Sequence, residues 1–246
     1  MKKILAFLIC CFVFYSPVRA SDEETVVLPD TALIDVPAAS TLDKLSFRFS
    51  NRLYSGGGTQ IGLGFGVHDR IIFGTSFLLD GLIGDSSHVS MRTPEIDLKY
   101  RFWDGGNRIP ALALGYGGQG YFYDSKEKKY QEERKGLYLT GTSEIFSSFF
   151  LNAGINISDF DNNHLFGFAG FSYALEESVI IMAEYDNLFH HASSCERLNA
   201  GLRIRVSEDF SLDMAVRNIN SGGKYKNGEK RQTERILQLH YTTRFN

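Results

Sequence analysis

From residue 42 to residue 246 the sequence runs in short stretches of alternating apolar and polar residues, joined by connections that are long and short in turn. Successive residues of a β-strand point to opposite faces, so each stretch predicts a strand with one greasy and one polar side. Residues 61–67 are the plainest example: Ile61, Leu63, Phe65 and Val67 alternate with Gly62, Gly64 and Gly66. Ile96, Leu98, Tyr100 and Phe102 alternate with Asp97, Lys99, Arg101 and Trp103, and Leu198, Ala200, Leu202, Ile204 and Val206 repeat the pattern. A barrel in the bacterial outer membrane combines this alternation with short turns on its periplasmic side and longer loops outside. The fold class read from the sequence is therefore all-β, a transmembrane antiparallel up-and-down β-barrel. Twelve strands fit best; the weaker alternation of residues 71–79, 165–175 and 179–186 leaves the count between ten and twelve. A soluble β-sandwich would also alternate, but it predicts neither the loop asymmetry nor the features at the two ends of the chain.

Lys2 and Lys3 precede an apolar core at residues 4–15, and Val18 and Ala20 stand where a signal peptidase reads small residues, so residues 1–20 read as a cleaved signal peptide. Residues 21–41, acidic at their start and carrying Pro29 and Pro37, read as a periplasmic leader, either a plug or a tether. Residues 42–246 form the barrel, ending on a strand of Leu237, Leu239, Tyr241 and Phe245 alternating with Gln238, His240, Thr242 and Arg244. Of 26 Lys and Arg and 29 Asp and Glu, Lys2, Lys3 and Arg19 fall in the signal, which leaves a formal net charge of −6 for the rest. That balance argues against nucleic acid as a partner. Cys10 and Cys11 leave with the signal, so Cys195 has no partner for an intramolecular disulfide.

By parity the lumen receives Arg48, Arg52, Lys99, Arg101, Arg203, Arg205, Arg217 and Arg244, against the acids Asp97, Glu144, Glu184 and Asp213. Two readings follow. The plainer one is an internal ion-pair network that fills a narrow barrel. The other is an anion-favouring passage or glycan contact, because unpaired guanidinium groups bind carboxylate and phosphate strongly. Tyr116, Tyr121, Phe122 and Tyr123, at the outer end of a strand read as residues 109–123, join Tyr185 and Phe189 in an outer aromatic girdle, with Trp103 and Phe245 in an inner one. The outer set could also stack on sugars.

Other constellations carry less. Gly62, Gly64 and Gly66 repeat with period two and no helix follows, unlike a nucleotide-binding loop. His190, His191 and Cys195 could hold a metal and Asp159, Asp161, Asn162 and Asn163 calcium, but both sets are ordinary loop chemistry. His68 and His88 sit in connections, and His240, two residues from Thr242, lacks a serine partner. No catalytic residue, metal site or cofactor is assigned.

Three stretches resemble the YjbH-like outer-membrane barrel proteins: Leu33-Ile34-Asp35-Val36-Pro37-Ala38-Ala39, then Ala183-Glu184-Tyr185-Asp186, then Asn199-Ala200-Gly201-Leu202-Arg203. The first has Ala38 where Thr is more usual. The resemblance implies a barrel and a link to exopolysaccharide production. The leading expectation is a non-enzymatic barrel associated with cell-envelope or exopolysaccharide export. A small anion-favouring pore, or a structural or adhesive barrel presenting its loops, are the alternatives. Expected partners are outer-membrane lipid and lipopolysaccharide, the barrel-insertion machinery, and a polysaccharide or anionic solute.

The crossing count is testable. With the chain start in the periplasm, nine crossings put Cys195 outside the cell, so a membrane-impermeant maleimide labels it on intact cells. Labelling that appears only once the periplasm is opened would invert the topology.

Overall fold

The computed structural model describes residues 30–55, 57–83, 89–106, 109–124, 129–132, 134–158, 164–189, 196–220, 224–225 and 230–245. The signal at residues 1–20 and the start of the leader lie outside the described residues.

Each alternating stretch forms the strand its pattern predicts, and the strands pair in chain order. They are β1 (Ser46–Tyr54), β2 (Gly58–His68), β3 (Ile71–Asp80), the two-residue β4 (Ser90–Met91), β5 (Glu95–Trp103), β6 (Ala111–Gly117), β7 (Tyr121–Asp124) and β8 (Lys129–Glu132). There follow β9 (Gly136–Phe146), β10 (Phe149–Ile157), β11 (Leu165–Glu176), β12 (Val179–Leu188), β13 (Arg197–Arg205), β14 (Phe210–Arg217) and β15 (Glu234–Arg244). Every pairing is antiparallel, and β15 returns to β1 in a register running from Ser46↔Arg244 to Leu53↔Leu237. Without β4 and the separate β7–β8 hairpin, twelve strands close the ring. The stretches of weaker alternation are all present, as β3, β11 and β12.

Closure leaves no unpaired edge, which a structure in hydrocarbon requires. Phe65, Phe73, Ile96, Leu98, Leu114, Leu139, Leu151, Leu202 and Leu237 are exposed on the outside. An apolar exterior over a closed antiparallel ring is the architecture of an outer-membrane barrel, and the protein resides there. Turns at 69–70, 147–148 and 177–178 lie at the end that holds the termini of the barrel, and connections at 81–94, 118–135, 189–196 and 218–233 at the other.

Two boundaries differ from the sequence reading. β1 begins at Ser46, not at residue 42, because Leu45 takes a left-handed backbone (φ 61°) and its N–H donates to Gly66 O, so residues 42–45 turn into the wall. The strand read as residues 109–123 breaks after Gly117; that stretch was longer than the roughly 9–11 residues a tilted strand needs to span. Gly118 and Gly120 permit the break, since a Cβ on Gly120 would lie 2.5 Å from the Tyr130 ring. The chain then folds back as the β7–β8 hairpin.

The described part of the leader, residues 30–41, lies inside the barrel: the plug, not the tether. Leu33 N–H donates to Val36 O (2.9 Å) and Ala38 N–H to Thr31 O (3.0 Å), which folds the segment into a tight hairpin. Leu33, Ile34 and Val36 pack with Phe168, Ile180, Met182, Ala215 and Ile236, and Ala39 packs with Ala111 and Ala113.

A complete ladder of this kind predicts heat-modifiable migration. Unboiled protein in dodecyl sulfate runs ahead of boiled protein, and identical mobility of the two would contradict a closed ring.

Candidate functional site

The inward residues of β13, β14, β15 and β1 form a cationic arc, and the leader supplies the anions that neutralise it. Arg217, fully buried, donates through Nε to Asp35 Oδ2 (2.7 Å), through Nη1 to Glu234 (2.5 Å) and through Nη2 to Glu132 (2.7 Å). Arg52 donates to Asp35 Oδ1 (2.7 Å), to the Ile34 carbonyl (2.5 Å) and to Gln238 (2.8 Å). Arg203 grips Asp213 with two bonds of 2.7 Å and reaches Asp30 at 2.6 Å. Arg48 meets the other oxygen of Asp30 at 2.5 Å, and Thr31 Oγ1 at 2.9 Å. Asp30 and Asp35, the described carboxylates of the leader, therefore each bridge arginines of two different strands.

The rest of the plug is held through its backbone. Lys99 donates to the carbonyls of Thr31 (2.6 Å), Ala38 (2.9 Å) and Ser40 (3.3 Å). Glu184 forms no ion pair among the described residues and instead accepts the N–H groups of Ile34, Asp35 and Val36 at 2.9–3.0 Å, with Asn199 Nδ2 at 2.7 Å. Successive peptide N–H groups turned toward one anion make an anion-binding nest. The three stretches that carry the sequence resemblance thus meet here: residues 33–39 of the plug, Glu184 of β12 and Asn199 of β13.

The β7–β8 hairpin bends into the extracellular mouth. Glu132 is buried between Arg217 and Arg197 (2.6 Å), and Arg197 also holds Asp186 (2.5 Å). Tyr121 lies under the guanidinium groups of Arg52 and Arg217, at 5.4 and 4.7 Å from its ring centre. Phe122 packs edge-on to the inward Tyr54 (5.9 Å). This corrects the outer girdle: Tyr121 and Phe122 serve the lumen, not the lipid. Tyr116 accepts a bond from Arg134, Tyr185 bonds Glu196, and Phe189 is exposed. Trp103 and Phe245 are exposed at the periplasmic rim, where Phe146 and Phe149 stack at 4.6 Å.

Of the eight lumen cations read from parity, Arg48, Arg52, Lys99, Arg203 and Arg217 converge on the plug. Arg101 stands lower, bonded to Asp104 (3.0 Å) and the Asp69 carbonyl (3.1 Å) in the periplasmic turns. Arg205 and Arg244 are exposed at the same rim, so they line no closed part of the lumen. Glu144 also sits at the rim, where it accepts the Ser148 N–H (2.9 Å). The guanidinium groups around the plug are paired, which the anion-passage reading did not anticipate. Sequence reasoning missed Asp30, Asp35, Glu132, Lys135 and Arg197. Arg197 was within reach, since it continues the inward parity of Asn199, Gly201 and Arg203; Glu132 lay in a charged loop with no periodicity to place it.

His240 bonds Asp213 (3.2 Å), and Thr242 accepts Arg48 Nε (3.0 Å). His68 Nδ1 accepts the Arg70 N–H (3.3 Å) in a turn. His88, His190, His191, Cys195, Asp159, Asp161, Asn162 and Asn163 lie outside the described residues, and among the described residues no cluster of potential metal ligands forms.

No family model matches the chain, and no curated protein matches it. Among solved structures it is similar to "KdgM porin", with a TM-score of 0.53 and 11% identity over 80% of this chain and 98% of that one. A second is "KdgM porin in complex with disordered oligogalacturonate", with a TM-score of 0.52, 11% identity and the same coverage. The shared feature is the barrel fold.

Burial alone would raise the Asp35 carboxyl, but the guanidinium groups of Arg217, Arg52 and Arg197 outweigh it and hold the group well below the usual carboxylate range. A depressed folded-state value gives stability that is full above the unfolded value, about 3.9, and is lost only as pH falls through the folded one. The contribution of Asp35 to plug attachment, read as the difference between the wild type and Asp35→Asn in protection of residues 30–41 from protease in detergent, should therefore be unchanged from pH 7 down to about 4.5. Arg217→Ala leaves Asp35, Glu132 and Glu234 facing one another without their shared cation, and is expected to cost about 3–5 kcal/mol in urea unfolding. A loss under about 1 kcal/mol would mean the cluster is solvated like a surface pair.

Proposed function

We propose that the protein is a plugged outer-membrane conduit for an acidic glycan, in which Asp30 and Asp35 occupy the arginine sites that the glycan's carboxylates would take. The carrying observation is that each of these two carboxylates, on a segment that is not part of the wall, bridges arginines from separate strands: Arg48 with Arg203, and Arg52 with Arg217. Paired guanidinium sites spaced along a lumen suit a polymer that repeats its carboxylates. With the plug in place those sites are filled, so passage requires the leader to give way.

Two further points support the reading. A solved barrel of similar fold was captured with oligogalacturonate, an acidic sugar polymer. The YjbH-like stretches, linked to exopolysaccharide, are the ones that build the plug's seat. The role proposed is passage and gating. The apolar exterior suits lipid and lipopolysaccharide, and the closing β15 suits handling by the barrel-insertion machinery. A structural barrel is the competing reading, and the completeness of the ion pairing favours it.

Planar-bilayer conductance separates the two. Asp30→Asn with Asp35→Asn, or excision of residues 30–41, should enlarge the conductance step several-fold with anion preference, and added oligogalacturonate should block it. Folded variants that conduct no better than the parent, or that ignore the acidic sugar, would leave the structural reading standing.

A further inference from the structure

The plug does not fill the lumen evenly. Two cavities, of about 160 and 170 Å³, lie beside it along the wall of β2, β3 and β5, and both are lined by Gln60 and Asp97. The first extends to Gln119 and Lys135, just past the extracellular ends of β6 and β9. The second extends to Leu42, where the leader joins the barrel at the periplasmic end. Sharing Gln60 and Asp97, they adjoin each other beside the plug. At about 30 Å³ of liquid volume per water, each has room for several waters.

The wall is open here because its inward residues are glycines. Gly62, Gly64 and Gly74 line the second cavity. At Gly64 neither backbone nor crowding demands glycine: its φ is not in the left-handed region, and an added Cβ would meet nothing nearer than the Leu42 side chain at 3.5 Å. What the missing side chain preserves at that position is space.

Where the two cavities share their lining, at Gln60 and Asp97, the chemistry differs from that of the arginine arc. The side-chain amide oxygens of Gln60 and Gln119 are buried with no donor among the described residues. Asp97 accepts the Ser76 hydroxyl (3.1 Å), and no cationic group forms an ion pair with it among the described residues. The cations at the margins are engaged: Arg48 by Asp30, Arg197 by Glu132 and Asp186, and Lys135 by Asp186. Lys99, the next inward residue of β5, turns its ammonium to the carbonyls of the plug. The stretch that the two cavities share is therefore lined by the amide of Gln60 and the carboxylate of Asp97.

We propose that this glycine flank is a standing passage for water and small monovalent cations that operates with the plug seated, separate from the arginine route that the plug closes. Carboxylates along a pore favour cations, while neutral acceptors replace part of their hydration.

The test is single-channel recording of the full, wild-type barrel in planar bilayers under a KCl gradient. Small ohmic steps with a cation-sided reversal potential are expected. Asp97→Asn should move that potential toward zero. Gly64→Leu should reduce the step about fivefold or more by filling the flank, and Gly64→Ala, whose Cβ fits, provides a folded smaller block. Heat-modifiable migration confirms that each variant is folded. A silent wild type, an anion-sided reversal potential, or a Gly64→Leu step equal to that of the parent would each overturn the passage. None of those outcomes bears on the plug reading, which rises or falls with Asp30→Asn and Asp35→Asn.

Discussion

The arrangement of this barrel depends on one electrostatic constraint. A row of arginines on the inner wall is tolerable only if anions are brought to it. Arg217 is fully buried, and an uncompensated charge there would cost several kcal/mol. Three sources supply the compensation. Asp213 and Glu234 come from neighbouring strands, Glu132 from a hairpin of the extracellular loops, and Asp30 and Asp35 from the leader. The inward folding of β7–β8 and the position of the leader both follow from this demand. Twelve strands leave a lumen wide enough for one extra segment and too narrow for that segment to be surrounded by bulk water.

The constraint also divides the lumen into unlike halves. The cationic arc runs from β13 through β14 and β15 to β1, and the plug presses its carboxylates against it. The neighbouring strands β11 and β12 give the plug an apolar bed, where Phe168, Ile180 and Met182 receive Leu33, Ile34 and Val36. On the other flank of the arc, past β1, stand the glycine faces of β2 and β3. The electrostatic and apolar contacts act on the same dozen residues and fix their position without the flank. The cavity on that side is a by-product of where the contacts lie, and its neutral and acidic stretch at Gln60 and Asp97 is what remains once the arginines are engaged.

The walls were legible in the sequence because lipid on one side and a polar lumen on the other impose a strict period of two. Arg52, Arg203 and Arg217 were placed inward by parity alone, and they are inward. Parity gives a face but not a depth, which is why Arg205 and Arg244 counted equally with Arg203 although they reach the rim. Segments that leave the wall carry no period at all. Glu132 and Tyr121 belong to a hairpin whose backbone bonds are satisfied locally, so nothing in their spacing marks them as lumen residues. The overlong strand at 109–123 was the visible warning, since no single crossing needs that many residues. Asp35 stands in a stretch without period, and two of its partners, Arg197 and Arg217, lie on strands far away in the chain.

The stretches at residues 33–39, 183–186 and 199–203 acquire a physical meaning from Glu184. An acid on the inner wall that has no arginine must find donors elsewhere, and peptide N–H groups are the only ones a short apolar turn can offer. The turn at residues 34–36 aims its N–H groups at Glu184 while the Ile34 carbonyl faces Arg52 (2.5 Å). Asn199 completes the acid from β13, and its own side-chain oxygen accepts the Asn218 N–H (3.0 Å). The local dipole of the plug is thus set across the lumen, donors toward the acid and acceptor toward the base. A plug inserted the other way round would place carbonyls against Glu184 and N–H groups against Arg52. Orientation is therefore specified by backbone polarity, and Asp35 adds the charge that makes the seated state strong. Residues 33–39, Glu184 and Asn199, far apart in sequence, are the two sides of one contact, and neither side is useful without the other.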